Sequence, residues 1–249
     1  MKDACHLGPL NESSVDLQTL ADSLRAKFVV VEQCVTLAET KYSLLKPRSP
    51  DELIDEADFN RDERLPYWAD VWPSALALAE RVAVEPGAGR RFLELGCGIG
   101  YVCAVAARKG FDVLATDYYA EALEFAVVNA LGNGLPCPAT RLVDWRELPS
   151  DLGRFELVVA ADVLYERAYP ALVAEAIERT LAPGGLGLVA DPGRRGAEPF
   201  AVECRARGLA IQRLSQAPHD NGSVRHTVDL YEIRRCFGED TFAVGGPRF

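Results

Sequence analysis

Two hydrophobic periods run along this chain, and they divide it into elements. Lys27 to Val35 (KFVVVEQCV) is apolar and rich in β-branched residues and predicts a strand, with Leu37 to Leu45 as a second extended piece. Residues 1 to about 24 predict only weak helical character. Pro47 and Pro50 then break the chain. From Pro73 to Val82 the spacing becomes helical. Pro73 suits a first-turn position, because its missing N–H costs nothing there.

Beyond Gly87-Ala88-Gly89 the chain alternates between the two periods. Strands are predicted at Arg91 to Leu95, Asp112 to Thr116, Thr140 to Val143, Phe155 to Ala161 and Leu186 to Ala190. Helices are predicted between them, at Tyr101 to Lys109, Glu121 to Leu131 and Tyr169 to Leu181. Gly110, Gly132-Asn133-Gly134 and Pro183-Gly184-Gly185 stand at their ends. Phe155 to Ala161 (FELVVAA) is apolar almost throughout, as a strand covered on both faces requires. Pro199 to Arg207 predicts a last helix, stopped by Gly208. Two further strands, Leu209 to Leu214 and Thr227 to Ile233, lack an intervening helix and predict an antiparallel pair at a sheet edge. Strand–helix alternation with short connections means an α/β, doubly wound, Rossmann-like sheet with helices on both faces. This gives three regions. Residues 1–64 form a short N-terminal extension with a strand pair and an acidic linker, 65–235 the sheet domain, and 236–249 a tail.

Composition narrows the function classes. The formal net charge is −10, with 27 Lys and Arg against 37 Asp and Glu. That balance opposes a broad nucleic-acid footprint, which needs clustered cations. Seven of the acids fall between Asp51 and Glu63, either as a solvated linker or as a rim attracting a basic substrate. No apolar run reaches the length of a membrane span, so no membrane partner is expected. Seven scattered cysteines with no C-x-x-C pair and only three His predict no metal site. An odd thiol count without an apolar leader predicts a reducing, cytoplasmic location, and a monomer is expected.

The chemistry gathers on strand ends. Arg91 to Leu95 runs into Glu94-Leu95-Gly96-Cys97-Gly98-Ile99-Gly100, a glycine turn that opens a helix and brings backbone N–H groups near a ligand. The dinucleotide pattern G-x-G-x-x-G/A fails here. From Gly96 its last position is Tyr101, and from Gly98 it is Cys103. A carboxylate two residues before Gly96 suits a ligand bearing an amino group and a sulfonium, and would repel a pyrophosphate. Cys97 reads as a small packing residue. Asp117, at the end of the second strand, is placed to accept from ribose hydroxyls, or else simply begins a helix. Asp144 and Trp145 follow the third strand, where the acid could accept from an adenine amine and the ring stack on the base. Asp162 follows the fourth strand and either caps a helix or, with Tyr165, meets a substrate.

Pro66-Tyr67-Trp68-Ala69-Asp70-Val71-Trp72-Pro73-Ser74, the glycine turn and Asp162-Val163-Leu164-Tyr165 together resemble the seven-β-strand protein lysine methyltransferases often called methyltransferase family 16. Ala190-Asp191-Pro192-Gly193-Arg194 is similar to the branch that methylates the electron-transfer-flavoprotein β-subunit. The resemblance covers about Leu65 to Arg234. It implies a seven-stranded sheet with an antiparallel last strand, and S-adenosyl-L-methionine as methyl donor. It places Glu94, Gly96 and Gly98 around the methionine end, Asp117 on the ribose, and Asp144 and Trp145 around the adenine. Trp72 would approach the cofactor, although Trp68 and Trp72 could equally anchor the N-terminal segment. Asp162 and Tyr165 match the D-x-x-Y motif beside the target amine.

The expected activity is therefore S-adenosylmethionine-dependent N-methylation of a protein lysine, with a small amine such as nicotinamide as the alternative acceptor. An NAD(P)-dependent oxidoreductase is opposed by the glycine spacing. A non-catalytic S-adenosylmethionine-binding module is opposed by the unbroken series of motifs.

Overall fold

A computed structural model describes residues 16–53, 66–220 and 225–236. Most of the acidic segment and nearly all of the expected tail lie outside these residues.

A seven-stranded sheet carries the fold, built from β3 (Arg91–Leu95), β4 (Asp112–Asp117), β5 (Ala139–Leu142), β6 (Phe155–Ala161), β7 (Leu181–Asp191), β8 (Leu209–Asp220) and β9 (Arg225–Arg235). The strand order is β5-β4-β3-β6-β7-β9-β8. The first five are parallel, and β9 enters antiparallel to both β7 and β8. The fold class is the one expected. The last two strands are longer than their hydrophobic runs predict. β7 begins at Leu181 rather than Leu186, because the stretch around Pro183-Gly184-Gly185 continues the strand.

Helices α2 (Pro73–Ala83), α3 (Tyr101–Arg108) and α4 (Ala120–Gly132) pack on one face, and α5 (Tyr169–Thr180) and α6 (Ala197–Ala206) on the other. The alternation of β6 explains both layers. Leu157 and Val159 enter the first core, and Val158 and Ala160 the second; an irregularity between Phe155 and Leu157 turns Phe155 to the second core as well.

The N-terminal extension contains a helix and a hairpin. Helix α1 (Leu17–Lys27) is capped by Asp16, whose carboxylate accepts from the Gln18 N–H at 3.1 Å. It takes in Lys27, so the strand expected from Lys27 begins only at Val30. Strands β1 (Val30–Leu37) and β2 (Thr40–Pro47) form a separate antiparallel pair. Two amides one turn apart, Asn129 on α4 and Asn133 at its C-cap, hold it in place. Asn129 accepts from Leu45 N–H at 2.7 Å and donates to the Leu45 and Ile99 carbonyls, each at 2.9 Å. Asn133 accepts from Ser43 N–H at 3.0 Å and donates to Ser43 O at 2.7 Å. The helix thus offers β2 the hydrogen bonds of a neighbouring strand.

Candidate active site

Strands β3, β4 and β6 end at one edge of the sheet. The order reverses there, since β3 leads to β4 on one side while β6 lies on the other. An open α/β sheet binds its ligands in the crevice at such a switch point. A cleft enclosing about 990 Å³, part of it open to solvent, occupies this position. All nine candidate residues line it: Glu94, Gly96 and Gly98; Asp117; Asp144 and Trp145; Asp162 and Tyr165; and Trp72.

The glycine turn forms the floor. Gly96, Gly98 and Gly100 have φ values of 73°, 53° and 81°, a region costly for any residue with a Cβ. Space is short as well. A Cβ on Gly98 would lie 2.9 Å from the Trp68 carbonyl oxygen, and one on Gly100 2.5 Å from the Ala126 Cβ. Asp117 ties this turn to the next strand end, its carboxylate accepting from Gly98 N–H at 2.9 Å and from Tyr119 N–H at 3.0 Å. Burial raises the Asp117 carboxyl to about 6, against the pull of those N–H donors.

Glu94 is buried beneath the turn. Burial pushes its carboxyl up to about 8, opposed by the Cys103 thiol, which donates to it across 2.8 Å. Asp144 caps the short helical turn Trp145–Glu147 and pairs with Arg146 at 2.6 Å. The Trp145 ring passes beside Gly96 and meets Tyr169 edge-on at 5.2 Å.

A strap over residues 66–72 crosses the turn. The sequence left Trp68 and Trp72 between two roles; both line the cleft, and they differ in burial. Trp68 is buried against Phe28, Tyr119 and Phe125, with ring centroids 5.7–6.3 Å away, and anchors the segment. Trp72 faces the cleft, its indole N–H donating to Tyr67 O at 2.8 Å. Lys46 at the end of β2 pairs with Asp70 at 2.7 Å and so joins the hairpin to the rim.

On the opposite wall, Asp162 follows β6 in a left-handed conformation, φ 58°. It caps no helix; α5 begins after Ala168. Tyr165 is part-exposed at the mouth. Edge-on contacts link Trp72, Tyr67, Tyr165 and Tyr169 at 5.8, 5.4 and 5.1 Å. Tyr67, Asp70 and Tyr169 were not among the sequence candidates. Tyr67 and Asp70 sat inside the quoted Pro66–Ser74 run, but Tyr169 carried only a helical signal. Among the described residues no three His, Cys, Asp or Glu side chains gather as a metal set.

The cleft fits an adenosyl amino acid. It has a tight backbone floor that no Cβ could enter, buried carboxylates at the ends of two adjacent strands, and aromatic walls.

Residues 67–240 match the family model described as a methyltransferase domain. A ubiquinone biosynthesis O-methyltransferase of Paracidovorax citrulli is 35% identical over 167 residues, covering 67% of this chain and 70% of that protein. The electron transfer flavoprotein beta subunit lysine methyltransferase of Danio rerio is 31% identical over 156 residues, 60% of this chain and 58% of its own length. Among solved structures, the N-methyltransferase NodS of Bradyrhizobium japonicum in complex with S-adenosyl-L-homocysteine shares the fold, with a TM-score of 0.54 at 18% identity, covering 74% of this chain and 95% of that one. The chain belongs to the methyltransferase-domain family and is an S-adenosylmethionine-dependent methyltransferase.

Proposed function

We propose that the acceptor is an amine, a protein lysine before a small amine, and that Asp162 and Tyr165 orient it. The observation that carries this reading is the wall facing the glycine turn. Asp162 sits at a strand end in a left-handed conformation, with Tyr165, Tyr67 and Trp72 forming an aromatic corner beside it. Such a corner accepts a cationic or neutral amine face-on and sheds water from it. Bound S-adenosylmethionine supplies an already activated methyl group, so the protein's task is alignment.

On this reading Glu94, Gly96 and Gly98 hold the amino-acid end of the cofactor. Asp117 takes the ribose, and Asp144 and Trp145 the adenine. Trp72 closes the cleft over it. Asp162 accepts an N–H of the acceptor, aiming the nitrogen lone pair inward. Tyr165, whose phenol burial drives upward, stays protonated and donates or packs at the mouth.

A phenolic oxygen is the second reading, favoured by the 35% identity to a ubiquinone biosynthesis O-methyltransferase. Labelled-methyl transfer into a lysate of the source organism separates the two. Label in lysine of a protein band supports the first reading, and label confined to small phenols replaces it. D162A should keep its affinity for S-adenosylhomocysteine and lose transfer; full activity in that variant removes the assigned role.

A further inference from the structure

The Asp191-Pro192-Gly193-Arg194 run is absorbed by none of the roles above, yet it reaches the acceptor wall. Asp191 ends β7 and is fully buried. Its Oδ1 accepts from Gly193 N–H at 2.9 Å and from Arg194 N–H at 2.6 Å, folding the loop back over the strand end. Gly193 turns with φ 83°. Gly196 lets this loop press against the Asp162–Tyr165 loop, since a Cβ there would collide with the Leu164 carbonyl oxygen. The result is one directed side chain. Arg194 Nε donates to Asp162 Oδ1 at 2.5 Å, and its guanidinium lies 5.7 Å from the centre of the Tyr165 ring.

We propose that Arg194 is a positioning residue for methyl transfer, held in place by Asp191, that fixes the Asp162 carboxylate and braces Tyr165 at the acceptor mouth. Asp162 needs such a brace. Its left-handed backbone costs energy, and a short side chain at a strand end has rotamers to choose among. A charge-assisted bond through Oδ1 selects one of them and leaves Oδ2 for the acceptor N–H. The planar guanidinium does two things at once, bonding a carboxylate at its edge while lying over an aromatic ring, which an ammonium cannot reproduce. The role in transfer rests on the amine reading; the clamp itself does not.

The test uses the full chain. Labelled-methyl transfer is measured with a lysine-containing tripeptide, nicotinamide and catechol as acceptors, for R194A, R194K, D191A and D191N. A misplaced reacting group costs about 10²-fold, so R194A should lose kcat on that scale with a smaller change in KM. R194K should recover only part of it. D191N should stay near wild type, because its amide oxygen accepts the same two N–H groups, whereas D191A should follow R194A. Affinity for S-adenosylhomocysteine should be unchanged in all four. Full kcat in R194A, or a loss of kcat matched by a loss of cofactor affinity, overturns the proposal.

An acceptor-free measurement runs beside it. The Arg194 Nε–H resonance, assigned by its absence in R194A, should shift in D162N and in D191A. A resonance identical in D162N overturns the clamp whatever is methylated. A shifted resonance with only catechol methylated sinks the amine reading and leaves the clamp supported.

Discussion

The Cys103 thiol donates to the Glu94 carboxylate across 2.8 Å, and both side chains are shut from water beneath the glycine turn. A lone buried carboxylate favours its neutral form, and Glu94 is raised accordingly from 4.5 to about 8. Asp117, one strand away, is raised from 3.8 to about 6. Both bind protons more tightly folded than unfolded. Their contribution to stability is therefore complete below about pH 4 and is lost as the pH climbs through about 6 and then about 8. The ligand-free protein should show a Tm that falls across this range. E94Q should flatten the upper part of the fall, and a wild-type profile in E94Q would contradict the assignment.

The same group links ligand binding to protons. A cationic amino group placed beside Glu94 favours its ionised form. Binding of S-adenosylhomocysteine near pH 7 should therefore release protons, read as a dependence of calorimetric enthalpy on buffer ionisation enthalpy. The dependence should shrink in E94Q. Equal slopes for both proteins would place the ligand's amino group elsewhere.

Gly100 lies 2.5 Å, at its would-be Cβ, from the Ala126 Cβ on α4. G100A therefore meets two penalties. A left-handed backbone costs an alanine about 1–2 kcal/mol, and overpacking adds about 1–3 kcal/mol. Urea unfolding should report a loss of this combined size. G89A, equally left-handed but with open space around it, should show the backbone cost alone.

Asn129, on α4, bridges the N-terminal hairpin and the glycine turn. N129A leaves Leu45 N–H, Leu45 O and Ile99 O without their partner. The expected loss is about 1–3 kcal/mol for groups stranded in a buried site. Limited proteolysis should then cut the hairpin sooner than the sheet domain. Uniform resistance across the chain would show that the hairpin is held by its apolar contacts instead.

Trp68 anchors the strap, so W68A should cost about 3–5 kcal/mol for a large aromatic removed from a packed site. W72A should cost less stability and more cofactor affinity, because Trp72 lines the cleft while only half-buried, whereas Trp68 is packed into the core. Paired urea unfolding and calorimetry on the two variants check the division; equal effects of both substitutions on both readouts would refute it.

Local pattern by itself determined the order of elements, because the hydrophobic period switches between two and about three and a half wherever a strand gives way to a helix. It also determined the station of each acidic residue. Glu94, Asp117, Asp144 and Asp162 are read as strand-end residues from their immediate neighbours, and a parallel sheet must bring such ends to one edge. What pattern could not determine were relations across the sequence. Lys27 looks like the first residue of a strand until the capped helix before it claims it. β9 lies between β7 and β8 because a hairpin edge can pair on either side. Trp68 and Trp72, four residues apart, part company only when Phe28 and Phe125 offer one of them a core. Arg194 lies 32 residues from Asp162, and nothing in its neighbourhood says where it points. The Asp191 turn and the contact at Gly196 decide that, since only packing fixes how two distant loops meet.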